Sequence, residues 1–208
     1  MSGNASPNRY ISVGSCREGW TMFDKLKNHQ ENSICDAALA EIAEGKMEAL
    51  SVIYRIFAKQ IFSITYQITK SCEDSEDLLQ EVMIAISKNA EKYEQGTNPK
   101  AWIMTIARNL AISGIRARKD NVPLDTLEDK MNLQAEESEN HMQHLIITDA
   151  LSSLPPEDQL IVKLKIYIGL SHGEIAEVMD ISKSASEKRF ERALKKVRLY
   201  FGERNNDL

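Results

Sequence analysis

Cysteine is scarce: the 208 residues hold three, Cys16, Cys35 and Cys72, without paired spacing. That excludes a disulfide scaffold and a classical zinc module, and it fits a reduced, cytoplasmic setting. Long apolar runs are missing too, since none approaches the ~18–20 residues that cross a bilayer. No membrane insertion is expected. The amino end shows no basic segment followed by an apolar stretch, so no signal peptide is expected either. There is no phosphate-cradling glycine loop, and no Ser-His-Asp or Cys-His arrangement in a supporting context. His141 and His144 stand three apart without nearby cysteine ligands, so neither a metal nor a cofactor is expected. Nothing among these residues points to an enzyme. Positive charge is also in deficit: 26 Lys and Arg stand against 31 Asp and Glu, a net −5. A protein basic all over is thereby excluded, but a segregated pattern is not.

What is present is such a segregation. Residues 99–119 hold five bases (Lys100, Arg108, Arg116, Arg118, Lys119) and no acid. Residues 120–143 hold seven acids against Lys130 alone, and residues 183–204 hold eight bases against three acids. The order basic, acidic, basic would let a polyanion be held at two places while an acidic connector stays clear of it.

The periodicity is helical throughout. Residues 1–33 are polar and aperiodic and read as a flexible extension. Leu50, Ile53, Phe57, Ile61, Ile64 and Ile68 form one stripe on a helix of about 24 residues. Ser71 to Asp74 has capping-box-like spacing ahead of Leu79, Val82, Met83 and Ile86. Asn98-Pro99 is an N-cap with proline at the first helical position, opening a helix with core stripe Ile103, Ile106, Ala107, Leu110 and Gly114. Such helices bury their stripes against one another as a bundle. The acidic stretch 120–143, with Pro123, reads as a flexible linker. After it, Pro155-Pro156-Glu157 starts a helix carrying Leu160, Ile161, Leu164 and Ile168, ended by Gly169. Ser171 to Glu174 is a capping box opening a short helix with Ile175, Ala176 and Met179. A three-residue turn then leads to Ser182, which caps a last helix with Phe190, Ala193, Leu194, Val197 and Phe201 inward. Two helices joined this tightly are a helix-turn-helix pattern. The expected fold is all-α, in two domains: an extension 1–33, a helical bundle 34–119, a linker 120–143 and a helix-turn-helix domain 144–208.

Two faces suit nucleic acid. On the last helix, Lys188, Arg189, Arg192, Lys195 and Lys196 lie opposite the apolar stripe, placed for phosphates along a major groove. On the helix after Pro99, a second stripe of Trp102, Thr105, Asn109, Ile112, Ser113 and Arg116 offers an aromatic, an amide and a guanidinium, a set that suits a single strand. The acidic helix around Asp77 has Leu78 and Gln80 partly off its buried stripe and could dock a partner.

At these residues the chain resembles a family. Leu78-Leu79-Gln80-Glu81-Val82, Pro99-Lys100-Ala101-Trp102-Ile103 and Ile106-Ala107-Arg108-Asn109-Leu110-Ala111 resemble region two of bacterial sigma factors. Leu151 to Pro156, Gly169-Leu170-Ser171 with Glu174-Ile175-Ala176, and Lys188-Arg189-Phe190-Glu191-Arg192-Ala193 resemble region four. With no region three between them, the pattern is that of the extracytoplasmic-function (ECF) class. The resemblance implies a non-catalytic initiation subunit whose partners are core RNA polymerase (the beta-prime clamp and beta flap), promoter DNA and an anti-sigma factor, which could hold it at the membrane. It assigns polymerase binding to Asp77, Leu78, Gln80 and Glu81. It assigns minus-ten DNA to Asn98, Lys100, Trp102, Thr105, Arg108, Asn109, Ser113 and Arg116. Minus-thirty-five DNA falls to Lys165, Ser182, Lys183, Ser184, Glu187, Lys188, Arg189 and Arg192. Three positions depart from the family pattern. Ser113 stands where an acid is common. Glu187 stands where a base is common, and either reads a cytosine amino group or repels phosphate. Ser186 replaces an aliphatic residue on the apolar stripe and is expected to weaken recognition-helix packing. The alternative is a helix-turn-helix regulator with an amino-terminal dimerisation or ligand domain, which would need no single-strand face; a protein-interaction adaptor would leave both basic faces unexplained.

Overall fold

The computed structural model describes residues 22–119 and 151–204, with side chains described for 30–117 and 151–200. The linker 120–143, His141, His144 and Cys16 lie outside the described residues. Among the described residues all regular structure is helical, and none of the helices is long and apolar enough to cross a membrane.

The first helix, α1 (Met22–Ala43), starts inside the stretch that the sequence reading sets aside as an extension. It buries Cys35, Ala38, Leu39 and Ile42, an i, i+3, i+4, i+7 stripe. Burial pushes the Cys35 thiol up to about 12, which makes it an apolar filler without nucleophilic character. A 3-10 turn, Met47–Ala49, leads into α2 (Leu50–Thr69), whose Ile53, Phe57, Ile61 and Ile64 are fully buried. Lys70 ends α2 in the left-handed region at φ 58°, donating its N–H to the Tyr66 carbonyl. Ser71 Oγ accepts the Asp74 N–H at 3.2 Å and so opens α3 (Cys72–Asn89). The Tyr93 hydroxyl then ties the following loop back to Asp36 of α1.

Helix α4 (Pro99–Lys119) is capped by Asn98, whose Oδ1 accepts from the Lys100 and Ala101 N–H groups at 3.0 and 3.4 Å. Its buried stripe is Ala101, Ile103, Met104, Ala107 and Ala111. Ile106 and Leu110 are only half-buried, and open space surrounds the place where Gly114 would carry a Cβ. The inward face is therefore turned from the expected one toward Met104 and Ala111.

The second half begins with α5 (Pro156–Val162), which runs on as a π-turn, Lys163–Ile168, and stops at Gly169 with φ 87°. Helix α6 (His172–Met179) carries the complete capping box of Ser171 and Glu174. Asp180, at φ 55°, makes the tight turn, and the Ser182 Oγ accepts from the Ala185 N–H at the start of α7 (Lys183–Arg204). The two halves are packed on each other. One apolar cluster runs from Phe57, Ile103 and Ala107 into Leu160, Ile161, Leu164, Ile175 and Met179, while Leu154, Val162 and Ala193 form a smaller one beneath α7.

Candidate polymerase and nucleic-acid interfaces

Periodicity turns α3 so that Val82, Met83 and Ile86 face the core and Asp77, Gln80 and Glu81 face solvent. Leu78 also faces inward at 7% exposure, contrary to the expectation that it lies partly off the stripe. Beside the exposed residues runs a groove of about 890 Å³ between α2 and α3, lined by Leu50, Tyr54, Phe62, Leu79 and Ile84 among others. Tyr54 and Ile84 are each about half exposed on its rim. An acidic edge beside an apolar groove suits a helical partner with one apolar and one basic side.

On α4 the exposed row is Asn109, Ser113 and Arg116. Trp102 is half-buried, its ring 5.3 Å from that of Tyr93 and tilted by 56°, so it holds the loop while leaving one edge outward. The Thr105 hydroxyl donates to the Ala101 carbonyl. Lys100 is placed elsewhere than a DNA-contact role needs. It is 3% exposed, and its ammonium donates to Glu31 of α1 at 2.9 Å. Spacing on α4 alone does not reveal a carboxylate 69 positions earlier. Arg108 is half-buried with Nε unpartnered; burial holds its guanidinium below the ordinary value, while Asp180 and Glu157 act in the opposite sense.

In the helix-turn-helix, Ser182, Lys183, Ser184, Lys188 and Arg192 are exposed along the first turns of α7. Glu187 is half-buried at the edge of this face. Arg189 pairs with Glu157 of α5 instead of standing free. The Lys165 ammonium is turned back onto the Leu170 carbonyl at 3.1 Å, where burial lowers its pKa. Ser186 is fully buried, and its hydroxyl shares a 3.0 Å hydrogen bond with His172 Nδ1. The His172 ring also meets Phe190 edge-on at 5.4 Å. The seam between the halves adds polar contacts: Asn98 Nδ2 donates to Glu174 Oε1 at 2.5 Å, and Gln67 Nε2 donates to Gln159 Oε1 at 2.6 Å. Lys163 Nζ donates to the Ser63 carbonyl at 3.4 Å.

The Sigma-70 region 2 family model matches residues 53–120, and the Sigma-70, region 4 model matches residues 144–197. The chain belongs to the ECF sigma factors. The ECF RNA polymerase sigma factor SigE of Mycolicibacterium smegmatis is 25% identical over 171 residues, covering 79% of this chain and 66% of that one. The RNA polymerase sigma factor CarQ of Myxococcus xanthus is 26% identical over 163 residues, covering 77% and 93%. Among solved structures, CnrH in complex with the cytosolic domain of CnrY shares the fold at TM-score 0.60 and 16% identity, covering 82% of this chain and 98% of that one. The sigma factor RpoE of Bartonella quintana, in complex with the anti-sigma factor NepR, does so at TM-score 0.56 and 19% identity, covering 72% and 94%.

This sigma factor binds core RNA polymerase and directs promoter recognition, DNA melting and transcription initiation. Its structure brings together residues that the helical stripes leave apart. Ser186 is the clearest case, because its closed pocket and its bond to His172 replace the weakened packing expected from sequence. Burial, followed by the nearby Lys165 charge, holds His172 below its usual range, which keeps the ring neutral against Phe190. Ser186→Ala should cost about 1 kcal/mol in urea unfolding, and a double-mutant cycle with His172→Ala should return a coupling of about 0.5–1.5 kcal/mol, while loss of the ring contact with Phe190 should show in both backgrounds. Ser186→Ile, toward the usual family residue, should cost about 1–3 kcal/mol by overfilling the pocket. A stabilised isoleucine variant would show that the pocket has room to spare.

Proposed function

We propose that this sigma factor is a non-catalytic subunit that divides initiation among three surfaces. The exposed edge of α3 (Asp77, Gln80, Glu81) and the adjoining groove dock on the polymerase clamp. The row Asn109, Ser113 and Arg116, with Trp102, Thr105, Arg108 and Asn98 beside it, meets the minus-ten strand as it opens. The start of α7 (Ser182, Lys183, Ser184, Lys188, Arg192) reads the minus-thirty-five duplex, with Arg189 and Lys165 reaching DNA once their internal partners are exchanged for phosphate. Lys100 serves the α4 surface by fixing its first turn to α1. Leu78 serves the polymerase surface by holding α3 to the core. Glu187, at the edge of the α7 face, tempers phosphate attraction there.

The observation that carries this reading is the outward row on α4. An amide, a hydroxyl and a guanidinium stand exposed on a helix with no acid between residues 99 and 119. Unstacked bases and a bent backbone suit that set better than a rigid duplex does. Replacing Asn109 and Arg116 together by alanine should reduce permanganate-reactive thymines at the start site more than it reduces closed-complex formation. Normal opening with weakened duplex binding would place melting elsewhere.

An anti-sigma protein is the further partner we propose, on the strength of similar folds solved with NepR and with the cytosolic domain of CnrY. Held by a partner of that kind, the chain would work in the cytoplasm or at the membrane surface.

A further inference from the structure

Building on the assignment of α7 to the minus-thirty-five duplex, we infer that His172 is a further contact to the phosphates of that duplex, and that this half binds DNA with uptake of a proton at the ring. No other histidine stands between residues 145 and 208. Its Nδ1 lies 3.0 Å from Ser186 Oγ, and its ring meets Phe190 edge-on. The charged groups that act on the ring are Lys165 of the π-turn and Lys183, Glu187 and Glu191 of α7. Lys165 and Lys183 are both assigned to the same DNA, so a phosphate that reaches those ammonium groups also comes into the field of the imidazole. The other charges around α6 are engaged elsewhere. Glu174 accepts from the Ser171 N–H and from Asn98 of α4, and Arg108 of α4 faces Asp180 at the opposite end of α6.

Ser186 decides which ring nitrogen carries the proton. Its side chain is fully buried, and a buried hydroxyl proton needs an acceptor. The Ser182 carbonyl already accepts the Ser186 N–H at 3.0 Å, which leaves His172 Nδ1 as the better acceptor. The neutral ring then holds its proton on Nε2. Nδ1 is turned toward a closed pocket while the residue is only half-buried, so the Nε2–H is the polar edge offered outward. An aliphatic residue at position 186 would leave the tautomer open.

Without DNA, burial and then the Lys165 charge hold His172 below its usual range, so the ring is neutral at neutral pH. A phosphate at Nε2 favours the imidazolium, and Glu187 and Glu191 act in the same sense. The proton comes from solvent and enters at Nδ1. The Ser186 hydroxyl then accepts from Nδ1 and turns its own proton to the Ser182 carbonyl. Since the bound state holds this proton more tightly than the free state, affinity is higher at low pH. The gain is lost as pH rises through the range where the bound ring titrates.

Holoenzyme formed from the full chain and core polymerase tests this on a duplex that carries a selected minus-thirty-five element and ends before the minus-ten element. Affinities are compared at fixed ionic strength between about pH 6 and about pH 8. His172→Gln offers an N–H near the place of Nε2 but does not titrate. Wild type should gain about threefold in affinity at the lower pH, beyond any change that the glutamine variant shows. Its salt dependence should also steepen there by about one ion. An equal pH response in wild type and a folded His172→Gln variant overturns the inference. Where thermal melts show that the variant is unfolded, the wild-type salt series decides, and an unchanged slope overturns it.

Lys183→Ala separates this contact from the reading beneath it. That variant should bind more weakly at both pH values. Unchanged affinity at both would remove the start of α7 from the duplex, and the His172 contact with it. Weaker binding by Lys183→Ala, with wild type and His172→Gln responding alike to pH, would leave α7 on the DNA and exclude His172 alone.

Discussion

Replacing Lys163 by methionine should make the protein more stable, by about 1–3 kcal/mol near neutral pH. The lysine sits in the seam between α2 and α5, where its ammonium has one long bond to the Ser63 carbonyl. Burial, and then the nearby Lys70 charge, push its pKa down to about 8 from 10.5. A lowered lysine pKa means that the folded state holds this proton less tightly than the unfolded chain does. Between about pH 8 and 10.5 the unfolded chain carries more protons at this site, so stability rises with pH across that window. Below pH 8 the full penalty of a buried charge is present, and methionine removes it while keeping an apolar stem of similar reach. Urea unfolding of both proteins at neutral and alkaline pH checks the claim. Wild type should approach the variant as pH rises. A variant that is less stable at neutral pH, or an unchanged gap at alkaline pH, would show that the Lys163 charge is favourable where it sits.

Phe57→Ala should have the opposite sign and a larger size. The ring is fully buried at the centre of α2, in the cluster shared by α1, α3 and α4. Truncation of such a ring costs about 3–5 kcal/mol, lost transfer energy plus a cavity that close packing cannot collapse. Against a typical total of about 5–15 kcal/mol, that loss leaves the bundle marginal at growth temperature. The outward edge of α3 depends on the same core, so polymerase binding should fall in step with the folded fraction. Denaturant midpoints and co-elution with core enzyme, measured across a temperature range, test the coupling. A loss of stability below about 1 kcal/mol would mean that the surroundings close over the gap.

Much of this architecture is legible in the residues. The stripe Ile53, Phe57, Ile61, Ile64 can be read because large apolar side chains recur at helical spacing. Ser71, Asn98, Ser171 and Ser182 can be read because an N-cap is a local event, decided within three residues. Helix α1 is largely hidden, since two of its four inward residues are small (Cys35 and Ala38) and polar residues surround them. The face of α4 is misread for a related reason: Ala107 and Ala111 pack as well as larger residues where helices approach closely, and apolar size alone points to Ile106 and Leu110. Site residues escape where a partner lies far along the chain. Lys100 finds Glu31, Asn98 finds Glu174 and Arg189 finds Glu157 across separations of 69, 76 and 32 positions. No periodic pattern encodes such a pairing. Exposure on a helical wheel and exposure in the folded chain then differ, because the wheel knows one helix at a time.

The π-turn Lys163–Ile168 bears on how the length of this protein can change. A π-turn is a helical turn holding one residue more than its neighbours. Here Leu164 and Ile168 stay buried at its two ends, while Ile166 and Tyr167 are lifted outward to more than half exposure. The extra residue has been taken up in a bulge, and the flanking positions keep their inward aim. Loss of one residue from this bulge would shorten it to an ordinary α-helical turn and leave Gly169 to end the helix as before. The same deletion in α2 would swing every later residue of that helix by about 100° and scatter its stripe. Chains of this fold that differ by one residue should therefore carry the gap in this turn, ahead of the glycine, more readily than within any of the long helices.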